Sequence, residues 1–292
     1  MVTRKTDVVV VGGGPAGVQS ATWCAQSAVD HVLIEKGKIG GLQAKSPYSN
    51  SWLSVFPKGT PARNVAEEMR KRVAENGTPV VDSEAVLIQK TGKGFRVDLA
   101  NGGQIETRFV LLATGTRERD EPAVPADKKV VGLAQVESFE MFLGKRVAIL
   151  GGGDAAFQCG NALRKVGHED WRLFARKSSR ANRKQWAVRD EDVVHGNIQI
   201  ADGWIGHADG RYPYDVVLVM YGWEAVLPVV APSLALKQGY VVVERSMETS
   251  VPGVFAAGDI LADSHPCVAS ALGTASVATQ MIVRRLNGLP TI

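Results

Sequence analysis

From Val8 to Glu35 the chain reads VVVVGGGPAGVQSATWCAQSAVDHVLIE, and no other stretch restricts the fold as tightly. Val8 to Val11 is a short apolar run suited to a strand buried on both faces of a parallel sheet. Gly12, Gly14 and Gly17 follow in GxGxxG spacing. The first permits a tight turn, the second lets backbone approach a pyrophosphate, and the third lets the helix pack closely on the strand. Pro15 suits the first helical turn, where a missing N–H is no loss. The unpaired N–H groups there, with the helix dipole behind them, favour phosphate by roughly 0.3 to 1 kcal/mol per charge. A second apolar strand, Val32 to Ile34, delivers Glu35 23 residues after Gly12. An acid in that place accepts ribose hydroxyls and repels a 2′-phosphate. The expected ligand is the ADP half of FAD or NAD rather than of NADP.

The loop from Gly37 to Trp52, rich in glycine, serine and asparagine, is expected along the carboxyl edge of the sheet, where ligands of such folds sit. Gln43 and Asn50 are polar candidates there, with ordinary loop polarity as the alternative. Ala62 to Glu75 reads as an amphipathic scaffold helix. Val80 to Ala100 alternates short β-type runs with the turns TGKG and ANGG, an antiparallel excursion. Phe109 to Ala113 returns to the parallel sheet, and Thr114, Gly115 and Thr116 make a turn small enough for backbone to lie against a cofactor. Glu118 to Lys129 is charged and carries Pro122 and Pro125, as a connection leaving a domain does.

The opening pattern then repeats 139 residues later: strand Val147 to Leu150, then Gly151, Gly153 and Ala156 in GxGxxA spacing, and a helix to about Lys165. The second strand of this unit, Trp171 to Phe174, ends in Ala175, Arg176 and Lys177, with Arg180 and Arg183 beyond. Cations in place of the acid suit a 2′-phosphate, which guanidinium groups bind bidentately. NADPH is therefore expected over NADH, with NADH left open. A solvated basic face and a nucleic-acid patch are the competing readings of Arg176 to Arg189; no recognised nucleic-acid motif accompanies it. Val216 to Met220 closes the unit. In the last stretch, Val254 to Ala257 reads as a strand, Gly258 and Asp259 as a tight turn, and Pro266 onward as a helix start. Asp259 is placed to accept from a ribityl hydroxyl or to cap the helix. The N–H groups of Cys267 and Val268 would aim the helix dipole at a group that becomes anionic, as reduced flavin does.

With 292 residues, 45% hydrophobic and 22% charged, the chain has the balance of a globular protein with room for one large or two ordinary domains. No leader or spanning run stands out, so a cytoplasmic protein is expected. Cys24, Cys159 and Cys267 are odd in number and far apart, which indicates neither a disulfide scaffold nor a CxxC metal site.

Together GGGPAG (12–17) with Glu35, GGLQ (40–43), Asn50, ATG (113–115), GGGDAA (151–156), ARKSSR (175–180) and PGVFAAGD (252–259) resemble the low-molecular-weight thioredoxin reductase group of FAD-dependent pyridine nucleotide oxidoreductases. The resemblance implies an α/β fold of two Rossmann-like, three-layer ββα-type dinucleotide-binding domains, the second inserted in the first. Residues 1–116 and 225–292 would bind FAD, and a shortened 117–224 would bind NAD(P)H. The implied FAD contacts are Gly12, Gly14, Pro15, Ala16, Gly17, Glu35, Lys36, Gly41, Gln43, Asn50, Ala85, Ala113, Gly115, Gly258, Asp259, Cys267 and Val268. Those for NADP(H) are Gly151, Gly153, Asp154, Ala155, Ala156, Arg176, Lys177 and Arg180. Homodimers and a swivelling of the two domains are usual in the group.

Three departures follow. The family's CxxC pair aligns with Ala134 and Glu137, so both thiols are gone, and Ser138 stands where the family has an acid. The region from Arg183 to Tyr214 is shorter than the family's β-meander. The chain stops at Ile292 without the extension that covers the flavin in ferredoxin NADP reductases of this architecture. Glu137 and Cys267 are the only candidates for a catalytic role near the flavin; an exposed loop carboxylate and a small packed thiol are the plainer readings. Thiol exchange needs a thiolate with a partner close by, and no pair here has CxxC spacing. The expected function is hydride transfer from NAD(P)H to FAD and on to ferredoxin or flavodoxin, a quinone, a small disulfide or O2. No metal, nucleic acid or membrane is expected to take part. The alternative is a non-catalytic FAD-binding protein, a redox sensor or partner-binding module.

Overall fold

The computed structural model describes residues 4–46, 49–50, 53–176, 186, 188–208 and 210–290. The chain divides into two compact units, Met1–Thr116 with Ala225–Ile292, and Arg117–Glu224.

The first unit opens with β1 (Arg4–Val11), α1 (Pro15–Gln26), β2 (His31–Glu35), α2 (Ala62–Glu75), β3 (Val80–Asp82), β4 (Ala85–Thr91), β5 (Gly94–Leu99) and β6 (Gln104–Leu112). β7 (Thr116–Glu118) leads out. The second unit follows with β8 (Lys129–Val131), β9 (Val147–Leu150), α3 (Asp154–Lys165), β10 (Trp171–Ala175), β11 (Val193–His195), β12 (Gln199–Ala201), β13 (Trp204–His207), β14 (Gly210–Pro213) and β15 (Val216–Val219). β16 (Trp223–Ala225) leads back and pairs with β7, and β17 (Val229–Ala231), β18 (Leu236–Lys237), β19 (Tyr240–Val241), β20 (Val254–Ala256) and α4 (Val268–Leu286) complete the first unit.

In the first unit the strand order is β17-β4-β5-β6-β1-β2-β3, with β20 also on β6. β1 lies parallel to both β2 and β6, which is why Val8 to Val11 are apolar without alternation. All four are buried, and each such burial contributes roughly 1.5 to 3 kcal/mol. Val8, Val10 and Leu33 face a core shared with Ala16 and Cys24 of α1 and Ala271, Ala275 and Ile282 of α4. Small residues on α4 let it lie close to α1, where Gln19 Nε2 donates to Ser276 Oγ at 3.1 Å. Val9, Val11 and Ile34 face the opposite core, with Ile88, Phe95 and Val97 of β4 and β5. That gives helices on one side of the parallel strands and an antiparallel β layer on the other. The excursion itself is β4-β5-β6, antiparallel throughout. Its expected start is corrected: Val80 to Asp82 form a parallel edge strand on β2, with Leu33 opposite Val80.

The second unit repeats the plan. Its sheet, β11-β10-β9-β15-β8, is parallel at every pairing. α3 packs Phe157, Cys159 and Leu163 against one face. Ile205 and Tyr214 cover the other, beside Leu150, Phe174 and Val217. The short region after Arg183 still holds a three-stranded antiparallel meander, β12-β13-β14. Among the described residues no helix is long and apolar enough to cross a membrane.

Candidate functional site

The first unit gathers its loops where β1, β2 and β6 end. Gly12 takes φ of +104°, and its N–H donates to Ile34 O at 2.8 Å. A Cβ there would stand 2.7 Å from the Ala113 carbonyl carbon and 2.9 Å from Thr114 Cα. At Gly17 a Cβ would overlap the Gly12 carbonyl oxygen. These two glycines are therefore required by packing alone. Gly14 differs: it is the N-cap of α1 in extended backbone, φ −75° and ψ −173°, and a Cβ there would meet nothing among the described residues within 4 Å. The open space lies at the positive end of α1, whose first turn carries Pro15 and no acid.

Glu35 is held by two backbone donors, Gly13 N–H at 2.6 Å and Gly37 N–H at 2.8 Å. It ties the glycine turn to the tip of β2 and leaves carboxylate lone pairs for a ribose. Lys36 pairs with Glu84 at 2.7 Å. Gly40 N–H donates to Gly13 O at 2.8 Å, and a Cβ on Gly41 would come within 3.0 Å of Gly14 Cα. Thus the GGLQ segment lies against the glycine turn. Asn50 Nδ2 donates to Gln43 Oε1 at 2.6 Å, so these two loop candidates hold each other. Ala113 N–H donates to Val11 O at 2.8 Å, and Gly115 O accepts from Val226 N–H at 3.0 Å. Of the expected FAD residues, Gly12, Glu35, Lys36 and Ala85 line one cleft with about 420 Å3 of empty space. Sequence reasoning missed Ser83, Glu84, Val226 and Pro228, which also line it. Val226 returns to this cleft only after the whole second unit, so no local pattern announces it.

Asp259 sits in the turn after β20, beside Gly258, which lies over Ala16 of α1: a Cβ on Gly258 would approach the Ala16 methyl to 3.1 Å. Asp259 Oδ1 is buried with no hydrogen-bond partner among the described residues, and burial raises the pKa of its carboxyl, opposed by the charge of His265. Asp259 does not cap α4. That place belongs to Cys267, whose Sγ accepts from Ser270 N–H at 3.4 Å, and α4 begins at Val268 rather than Pro266. Hydrogen bonding between the thiol and the Ser270 side chain, and from the Ser270 N–H, lowers the Cys267 thiol pKa. Cys267 is thus a polar cap, which corrects the expectation of a simply packed thiol. Val268 is buried beside Leu53 and Val65. An unsatisfied buried carboxylate oxygen and an open Gly14 fit a ligand with hydroxyl donors and a pyrophosphate, as FAD has.

The second cradle has the same construction. Gly151, at φ +145°, donates its N–H to Phe174 O at 3.0 Å, and a Cβ there would lie 3.0 Å from the Met220 carbonyl carbon and 3.3 Å from the Ala156 methyl. Gly153 is again the extended N-cap, φ −101° and ψ 178°, with nothing among the described residues within 4 Å of a Cβ. Asp154 opens α3 and accepts from Trp186 Nε1 at 3.2 Å, with Ala155 half-buried behind it. Arg176 is exposed just past β10. Lys177, Arg180 and Arg183 lie outside the described residues. At the far end of the basic stretch, Arg189 pairs with Glu191 at 2.9 Å and Asp192 at 3.4 Å. An open N-cap glycine and a cation past the second strand fit a phosphorylated nucleotide.

Ala134, Glu137 and Ser138 are exposed and belong to the second unit. Ser138 caps the turn Phe139–Phe142 by accepting from Glu140 N–H at 3.2 Å. Cys24 and Cys159 are fully buried, and burial pushes each thiol up to about 12. Among the described residues no group of three or more His, Cys, Asp or Glu is placed to hold a metal.

Two units, each with parallel strands whose glycine turn feeds a helix N-terminus, define a two-dinucleotide architecture. Residues 6–281 match the family model of pyridine nucleotide-disulphide oxidoreductases, and the chain belongs to that family. Its members imply FAD and NAD(P)H as cofactors. The thioredoxin reductase of Bacillus subtilis is 26% identical over 304 residues, covering 94% of this chain and 93% of that one. A ferredoxin–NADP reductase of Ralstonia pickettii is 28% identical over 293 residues, covering 89% and 81%. The crystal structure of Lactococcus lactis thioredoxin reductase superposes with a TM-score of 0.78 at 19% identity, covering 97% of this chain and all of that one.

Proposed function

We propose that the protein is an FAD-dependent oxidoreductase that takes hydride from NAD(P)H, with NADPH preferred, and passes electrons to an external acceptor without a dithiol relay of its own. The observation that carries this reading is the pairing of two glycine cradles with a chain whose only thiols are Cys24, Cys159 and Cys267. Two of those are buried and held neutral, so they offer no thiolate for exchange. FAD, when bound, supplies the hydride-accepting chemistry. The chain's part is to seat the pyrophosphate at Gly14, hold the ribose with Glu35 and present Asp259 to a hydroxyl. In the second unit, Gly153 and Arg176 would take the phosphates of the nicotinamide nucleotide, together with Lys177 and Arg180. Ferredoxin or flavodoxin leads the acceptors, followed by quinones, small disulfides and O2. The ferredoxin–NADP reductase of Ralstonia pickettii, 28% identical against 26% for the Bacillus subtilis thioredoxin reductase, supports that order. A homodimer in the cytoplasm is the setting proposed by the same resemblance.

The test is anaerobic stopped-flow mixing of the FAD-loaded protein with NADPH or NADH, then reoxidation by a panel of acceptors. Rapid bleaching by NADPH and fast reoxidation by one acceptor are expected. A yellow protein that neither nucleotide bleaches would instead be a non-catalytic FAD-binding module.

A further inference from the structure

One surface of the first unit carries positive charge that the described residues leave unpaired. Between Glu35 and Glu67 the chain has Lys36, Lys38, Lys45, Lys58 and Arg63 and no carboxylate. The neighbouring acids are engaged: Glu35 accepts from the backbone of its own turn, Glu84 pairs with Lys36, Glu67 with Arg70 and Glu68 with Lys71. Lys38, Lys45, Lys58 and Arg63 are exposed, and among the described residues no carboxylate takes any of them. They match in number the net charge of the whole chain, +4.

The fold gathers these four. Ile39 O accepts from Arg70 of α2 at 3.1 Å, which holds the segment after Lys38 on that helix. Lys45 follows the turn Gly41–Ala44, whose Gln43 accepts from Asn50, and Asn50 N–H donates to Thr60 O at 2.8 Å. Thr60 Oγ1 donates back to Pro57 O at 2.7 Å, so Lys58 lies in a closed turn just before α2, and Arg63 lies in the first turn of that helix. Leu53, Phe56 and Val65 pack beneath with Val268 of α4. Leu42 and Val55 stay exposed, Val55 by 78%. Exposed apolar side chains among charges of one sign suit a partner protein of the opposite sign. A second copy seated face to face would set cation against cation. The place names the partner further: Gly41 lies against Gly14 while Leu42 next to it is exposed, so a protein seated on Leu42 is one turn of backbone from the first cradle.

We infer that this surface docks an acidic protein electron carrier, whose carboxylates meet Lys38, Lys45, Lys58 and Arg63. The inference rests on the proposed oxidoreductase reading. One NADPH becomes NADP+ and a proton, and its two electrons reduce two one-electron carriers in succession. The FAD-loaded protein is titrated calorimetrically with an oxidised, acidic plant-type ferredoxin, and NADPH oxidation is followed with that ferredoxin or with neutral p-benzoquinone as acceptor. Lys38→Glu, Lys45→Glu, Lys58→Glu and Arg63→Glu should each weaken ferredoxin binding about threefold, and the four together roughly fifty- to a hundredfold. FAD content and quinone turnover should stay as in wild type, since no ion pair among the described residues is lost. Raising NaCl from roughly 20 to 200 mM should weaken wild-type binding about tenfold and leave the quadruple variant nearly unchanged. A quadruple variant that binds ferredoxin as wild type does, or a wild type that binds none, overturns the assignment. So does capture of the wild type by phosphatidylglycerol vesicles through these cations with ferredoxin ignored, which would mark a membrane surface. If NADPH reduces the quinone but not ferredoxin, the docking assignment alone falls. If NADPH reduces neither, the oxidoreductase reading fails, and the calorimetric titration still decides the surface.

Discussion

Gly14→Ala separates a glycine kept for a ligand from one kept for the fold. The backbone at Gly14 is extended and any L residue adopts it; the added methyl would meet no atom within 4 Å. Two opposed effects act on the empty protein. Replacing glycine at a compatible position stabilises by about 0.4 to 1 kcal/mol through the unfolded chain. Alanine is a poorer N-cap than glycine by about half a kcal/mol. The net change is expected within about 0.5 kcal/mol, a shift in melting temperature of under ~2 °C. For the loaded protein the sum is different. A methyl between the helix N-terminus and the pyrophosphate removes at least one charge-assisted hydrogen bond, worth roughly 1.5 to 3 kcal/mol. That corresponds to FAD binding roughly 10 to 150 times weaker. Gly17→Ala supplies the contrast: its methyl overlaps the Gly12 carbonyl oxygen, and overpacking of this kind costs about 1 to 3 kcal/mol with or without ligand. The assay pairs calorimetry of apoprotein with flavin absorbance per protein after reconstitution. A Gly14→Ala protein that binds FAD normally, or that melts as low as Gly17→Ala, refutes the reasoning.

Gly153→Ala should raise the KM for NADPH while leaving FAD content unchanged, since its cradle has the same open N-cap in the other unit. Asp259 has its carboxyl pKa raised by burial. The folded apoprotein therefore holds that proton more tightly than the unfolded chain, and stability is lost as pH climbs from the ordinary carboxylate range through the raised value. Apo Asp259→Asn, which lacks that loss, should melt higher than wild type at pH 7 and match it in acid; equal melting at both refutes this. In apoprotein at neutral pH, iodoacetamide should label one thiol of three, Cys267, because Ser270 lowers its pKa whereas Cys24 and Cys159 are pushed up to about 12; peptide mapping identifies the site. Arg285, from the last turn of α4, forms a bidentate pair with buried Glu248 and lies over the Phe255 ring at 5.3 Å. Arg285→Ala strands that carboxylate with Gly253 N–H as its remaining donor among the described residues and should cost about 3 to 5 kcal/mol in denaturant unfolding.

Both cradles were legible because their information is local. Strand, glycines, helix and second strand fall within about 30 residues, and the valines of β1 carry their burial in their lack of alternation. What pairs distant parts of the chain was not. Nothing in Val229–Ala231 says that it adds to β4, and the short run Val80–Asp82 reads equally well as part of a hairpin until β2 is seen beside it. Glu248 and Arg285 sit 37 residues apart in unrelated local patterns. Cys267 was placed at the right helix but read for its size, whereas its sulfur acts as a hydrogen-bond acceptor.

The ribbon of β7 and β16 has a consequence for how such a chain can diversify. Arg119 N–H donates to Gly222 O at 2.9 Å and Arg117 Nε to Glu224 at 2.6 Å, so the points of departure and return are strand neighbours. To the outer sheet, everything from residue 117 to residue 224 is equivalent to one long hairpin loop. Doubling the length of a loop adds only about 0.6 kcal/mol to its closure. A lineage can therefore lengthen, shorten or exchange the inserted unit with little strain on the glycine turn proposed to hold the flavin nucleotide, and new electron donors can be tried against an unchanged first cradle.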